Sequence, residues 1–240
     1  MFLSNRSQAV IVGLAMLLLA VAARAEVNKS VHISDGATAS GASSVNGSVT
    51  VGRGATVTGD VGTVNGTIRI EDNAIIEDAN TVNGGIKLGS QVTSQSLETV
   101  NGAIRVADNG RIDGNVEAVN GAIELGSGTF VDRNVGNVNG EITLEGAEIG
   151  GDVETVNGDI ELADGTVVHG DVIVKKPRRI GWFSGEDRVP KVIIGPGSRV
   201  EGKLRLEREV ELYISESATV GGVSGVMSMS DAVRFSGRRP

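Results

Sequence analysis

The chain has 240 residues, 35 of them Gly and none Cys, with a formal net charge of -8. An acidic chain with one Trp, one Tyr and four Phe has neither the basic field nor the stacking side chains that hold phosphates and bases, which excludes nucleic acid as a partner. With no Cys and only His32 and His169, neither a disulfide framework nor a His/Cys metal centre of three or more ligands can form, and no cofactor is expected.

Residues 1–25 read as a secretory signal. Arg6 precedes an apolar run from Ala9 to Ala23, and Ala23-Arg24-Ala25 supplies the small-x-small cleavage pattern. The run is shorter than the roughly 20 residues that a membrane span needs, so no stable span is expected after cleavage, and the mature chain would begin at Glu26. Removal of Arg6 and Arg24 makes the mature chain more acidic still. The expected location is the periplasm or the exterior of a bacterium.

From Val27 onward a repeat governs the sequence. Val-Asn-Gly places its Asn at Asn46, Asn65, Asn83, Asn101, Asn120, Asn139 and Asn157, at steps of 18 or 19 residues, and Val27-Asn28-Lys29 extends the series one step earlier with Lys in place of Gly. A fixed period this short marks a solenoid, in which each unit buries its apolar face only by stacking on its neighbours. Three and five residues after each Asn the chain is aliphatic, as in Ile104 and Val106 or Ile123 and Leu125, with a variable residue between them. That alternation is a half-buried strand. Further apolar positions lie eight before the Asn (Val57, Ile75, Ile112, Val131, Ile149) and four before it (Val61, Leu97, Val116, Val135, Val153). Three short strands and three turns in each period predict an all-β, single-domain parallel β-helix, a triangular solenoid of 18–19 residues per coil, spanning residues 26–226 in ten or eleven coils about 50 Å long.

Asn-Gly is also the preferred two-residue turn of an antiparallel hairpin. That alternative would expose the Val of every repeat and oppose Glu117 to Glu124 and Glu154 to Glu161, like charges directly across a ladder. In the β-helix the Asn is expected to sit at a tight corner in a left-handed conformation, with Gly beside it to remove a Cβ clash and its amide bonded to the coil above or below. The seven Asn thus read as a structural ladder. A second column, Asp60, Asp78, Asn115, Asn134, Asp152 and Asp171, suits Asx turns, with stacked carboxylates for Ca²⁺ as the other reading.

Residues 175–190 break the pattern with two Pro, the lone Trp and a cluster of basic side chains. They read as a loop thrust from one corner, with Arg178, Arg179, Trp182 and Phe183 as candidate partner-binding residues. Strand patterning resumes at Val192, and the tail 227–240 is left open between a last strand, a partial cap and an unstructured end. His169, close to that loop in sequence, is the one residue that could have served an acyltransferase-type reaction, and a catalytic role for it is not expected.

Segments such as Gly110-Arg111-Ile112-Asp113-Gly114-Asn115-Val116 and Ser198-Arg199-Val200-Glu201-Gly202-Lys203-Leu204 resemble the bactofilins, polymer-forming bacterial cytoskeletal proteins. The resemblance implies a right-handed triangular β-helix, nucleotide-free self-assembly and no catalysis. A signal peptide and the lack of Pro-rich tails depart from that family, whose members are cytosolic. The expected function is a non-catalytic, exported rod that associates end to end with itself or scaffolds the cell envelope. The alternative is an adhesin or binding module presenting residues 175–190 to an envelope or extracellular partner.

Overall fold

A computed structural model describes residues 27–177 and 188–240. The expected signal segment and Arg178, Arg179, Trp182 and Phe183 lie outside the described residues.

The strands form three parallel sheets, each running the length of a triangular rod. The first face holds the strands that follow each Asn, from Val31–Ile33 through Ile123–Leu125 to Val233–Phe235, in an 11-stranded sheet. The second holds two-residue strands from Thr38–Ala39 to Thr219–Val220, and the third runs from Ala42–Ser44 to Val223–Gly225, with 10 strands each. Each strand pairs with its counterpart one coil away, as Ile104 does with Ile86 and Ile123. All these pairings are parallel, which eliminates the antiparallel hairpin. The first face keeps its register across the 175–190 insertion, where Ile160 pairs with Val192.

The aliphatic alternation three and five residues after each Asn is the first face. Its inward side chains, among them Val49, Ile68, Ile86, Ile104, Ile123, Ile142 and Ile160, are fully buried. They stack in one column, with Leu88, Val106, Leu125 and Leu144 two residues on. Burying each is worth about 1.5–3 kcal/mol. The position eight before the Asn is equally buried at Val57, Ile112, Val131 and Ile149, whereas Ile75 departs from the pattern for a local cause. The turn after Ile75–Ile76 is one residue shorter than its counterpart after Thr56–Val57, so Val57 pairs with Ile76. Ile76 is 4 % exposed and Ile75, the residue expected inside, is 52 % exposed.

At the C-terminal end Met227, Met229 and Ala232 pack against the last coil around a short 3₁₀ helix, Met229–Asp231. Val233–Phe235 then adds the final strand of the first face, with Phe235 buried. The tail turns back along that face, where Arg239 Nε meets Glu161 Oε1 at 3.0 Å and Arg238 Nη2 meets Asp164 Oδ2 at 3.2 Å. It is therefore both a last strand and a cap.

Candidate functional site

The corner between the third and first faces carries the Asn ladder. Asn46 Nδ2 donates to Asn28 Oδ1 at 2.7 Å, and the same bond repeats through Asn65, Asn83, Asn101, Asn120 and Asn139 to Asn157, at 2.7–3.0 Å. The next coil has the insertion instead of an Asn. Arg208, one coil further, reaches across the gap and donates to Asn157 Oδ1 at 3.1 Å and to the Arg188 carbonyl at 2.9 Å.

The expected left-handed conformation is the exception at this corner. Of the ladder residues only Asn28 has a positive φ, and of the Gly beside them only Gly140, while Asn65, Asn83, Asn101, Asn120 and Asn139 end third-face strands. Left-handed residues line the corner between the first and second faces instead, at Gly54, Asn73, Gln91, Asn109, Gly128 and Gly146. The Gly of each Val-Asn-Gly is required for another reason. A Cβ on Gly66, Gly84, Gly102 or Gly121 would come closer than 3.0 Å to the carbonyl of the corner Gly one coil earlier. The same carbonyl accepts a hydroxyl from a buried Thr two residues before the Asn: Thr63 to Gly47 at 2.8 Å, Thr81 to Gly66 at 3.2 Å, Thr99 to Gly84 at 3.0 Å. Lys29 replaces Gly in the first described coil, where no earlier described coil supplies a carbonyl to strike.

The Asx column makes a second ladder. Asn115 Oδ1 accepts the Asn134 N–H at 3.1 Å, Asn134 Oδ1 the Asp152 N–H at 2.9 Å, and Asp152 Oδ1 the Asp171 N–H at 2.8 Å. These oxygens serve as turn acceptors. Among the described residues no group of three or more His, Asp or Glu side chains is placed to hold a metal ion.

His169 lies on the second face between two carboxylates, with Nδ1 2.9 Å from Glu201 Oε2 and Nε2 3.0 Å from Glu148 Oε1. Hydrogen bonds to both acids hold its pKa above the usual imidazole value. Both ring nitrogens are engaged, so no lone pair is offered to a substrate.

The third face holds what the repeat pattern did not reveal. Its strands run to five residues, as in Val61–Asn65 and Val116–Asn120, and place two outward columns side by side. One is the Val preceding each Asn (Val64, Val82, Val100, Val119, Val138, Val156), half-buried rather than interior. The other, three residues before the Asn, stacks Gly62, Asn80, Glu98, Glu117 and Gly136 in register, followed by Glu154. Like charges opposed across a ladder counted against the hairpin, yet the coil stack sets Glu98 directly on Glu117.

Burial raises the Glu98 pKa, helped by Asp78. Burial also pushes Glu117 up to about 7, with Glu98 and Glu154 adding to the shift and Lys175 opposing it. Lys175 Nζ itself sits 2.6 Å from Glu154 Oε2. Asp78, at the edge of this surface, is raised by burial and then by Asp60 and Glu77. Asn80 is 7 % exposed, and neither its Nδ2 nor its Oδ1 has a hydrogen-bond partner.

The Glu117 shift has a measurable sign. A carboxyl whose folded pKa lies above its unfolded value near 4.5 binds more protons in the native state between those limits, so it lowers stability as pH rises from 4.5 through 7. Glu117→Gln removes that penalty. Thermal melts should give the variant and the parent nearly equal midpoints at pH 4.5 and a more stable variant at pH 8, by on the order of 2 kcal/mol. A constant difference across that range would mean that Glu117 titrates as an ordinary surface acid.

Among the described residues no helix is long and apolar enough to cross a membrane. Comparison with protein-family models, characterised proteins and solved structures returns no significant match for this chain.

Proposed function

We propose that the chain is a non-catalytic, exported structural rod that associates with itself through its N-terminal end and serves as an envelope scaffold. The bactofilin-like segments support this reading, as does the build of the solenoid: side-chain ladders and one buried core join every coil, which suits a load-bearing element better than a reacting cleft. The observation that carries it is the difference between the two ends. Met227, Met229 and Phe235 close the C-terminal coil, whereas Val31 and Ile33 of the first described coil are only half-buried and, among the described residues, its strands are paired on one side alone. Unpaired strand edges and an uncovered apolar interior favour association.

The form of that association follows from the opposite end. A second copy continuing the coil stack would have to present its C-terminal coil, which Met227, Met229 and Ala232 already cover. Two N-terminal ends meeting about a two-fold axis avoid this, so a closed dimer is favoured over an open filament. Light scattering and electron microscopy of the purified mature protein should show dimers about twice the rod's length. Ile33→Glu should convert them to monomers with an unchanged β signal in circular dichroism.

The alternative is a binding module. The insertion leaves the third-to-first corner with its far flank pinned: Arg188 pairs with Asp159, and Asp159 Oδ1 accepts the Lys191 N–H at 2.9 Å. Loops held on rigid scaffolds often carry recognition. A protein that stays monomeric at high concentration, and whose retention on envelope material is lost in Trp182→Ala, would favour this reading over self-association.

A further inference from the structure

The third-face column invites a ligand for reasons independent of end-to-end association. Gly62 and Gly136 bracket Asn80, Glu98 and Glu117, so three polar side chains on consecutive coils lie between two positions with no side chain. Strand alternation directs all three outward: Ala79 and Thr81 flank Asn80 and are buried in the interior, as are Leu97 and Thr99 around Glu98. Stacked at the spacing of neighbouring strands, about 4.8 Å, two carboxylates repel one another unless a cation lies between them. Among the described residues no cation pairs with either. Lys175, the nearest base acting on Glu117, is held by Glu154.

Asn80 narrows the chemistry. A buried amide with both atoms unpartnered forfeits a donor and an acceptor together, an arrangement that native structures retain chiefly where something else completes it. Its Oδ1 suits a cationic N–H, and its Nδ2 needs an acceptor on the same ligand. A bare metal ion would leave Nδ2 unsatisfied. A Lys or Arg residue of a polypeptide brings both, a charged side chain and a main-chain carbonyl. The half-buried Val82, Val100 and Val119, on the same strands and one outward position along, would take the apolar side chains beside it.

We infer that Asn80, Glu98 and Glu117 form a binding site for a basic residue of an extended, partly apolar peptide segment, with Val82, Val100 and Val119 as its apolar border. Glu98 and Glu117 would hold the ammonium or guanidinium group, and Asn80 would bond both the cation and the adjacent carbonyl.

The test uses the purified full chain and three probes: the peptide acetyl-Val-Arg-Val-amide, agmatine as a cation without a peptide carbonyl, and Ca²⁺. Binding is read by carbon-detected NMR of the Glu side-chain carboxyls. The peptide should bind saturably, weaken as salt rises, and lower the titration midpoint of Glu117 below about 7. Agmatine should bind at least fivefold more weakly. Glu98→Gln and Glu117→Gln, which keep shape and remove charge, should each weaken the peptide at least tenfold, whereas Glu124→Gln on the first face should leave it unchanged. The assignment is overturned if the peptide does not bind or if its binding survives both Gln variants. Agmatine binding as tightly would make this a bare-cation site, and Ca²⁺ displacing the peptide would make it a metal site; either result also overturns the assignment.

Discussion

Replacing Ile123 by Asp is expected to cost more than about 4 kcal/mol and to abolish the cooperative melt of the rod at 37 °C. Ile123 is 0 % exposed and stacks between Ile104 and Ile142 in a column that continues in both directions. A carboxylate there has no cation or donor within the aliphatic interior, and the parallel ladder on both sides prevents the strand from rotating it outward. The neighbouring substitution Glu124→Lys is the internal control. Glu124 points away from the core and pairs with Arg105 at 2.8 Å, an exposed ion pair worth at most about 1 kcal/mol, so reversing its charge should change stability by no more than about that. Circular dichroism melts of the two variants decide the matter, since similar losses would mean that the first face is assigned inside out.

Gly121→Ala is the second large effect expected, at about 3 kcal/mol or more. The added Cβ would meet the Gly102 carbonyl oxygen and carbon, both backbone atoms fixed by the ladder, at separations that real Cβ atoms do not show. The coils would have to part at that corner, weakening the bonds from Asn120 to Asn101 and from Asn139 to Asn120. Gly54→Ala tests the competing cause. Gly54 has a φ of +63° and nothing within 4 Å of its missing Cβ, so its substitution should cost only the about 1–2 kcal/mol of a left-handed Ala. If Gly54→Ala proves the more damaging in denaturant titrations, backbone conformation and not coil-to-coil contact sets the requirement for Gly.

That contrast also marks where sequence reasoning placed the right residue for the wrong reason. Asn followed by Gly suggested a left-handed corner because both residues tolerate one locally. The requirement is non-local, since the clash that Gly avoids involves a carbonyl 19 residues earlier in the case of Gly66 and Gly47. The exchange of Ile75 for Ile76 has a similar origin, because one deleted turn residue shifts which of two adjacent isoleucines meets Val57 in the coil before it.

The sequence by itself determined the solenoid, the length of its coils, the inward columns of the first face and the stacking of the Asn residues. A repeat in which every copy carries the same aliphatic alternation can satisfy its strands only by pairing each copy with the next. The tertiary structure alone decided which surfaces these columns create. Glu98 and Glu117 lie 19 residues apart, and neither is unusual in its own segment; they become a desolvated pair only when the coils set them in register. Asn80 is an ordinary polar residue on an outward position until the stacked coils bury it with both amide atoms unpartnered. The closure of the C-terminal end likewise rests on Met227, Met229 and Phe235 finding the open interior of the last coil, a long-range contact that their weak local pattern does not encode.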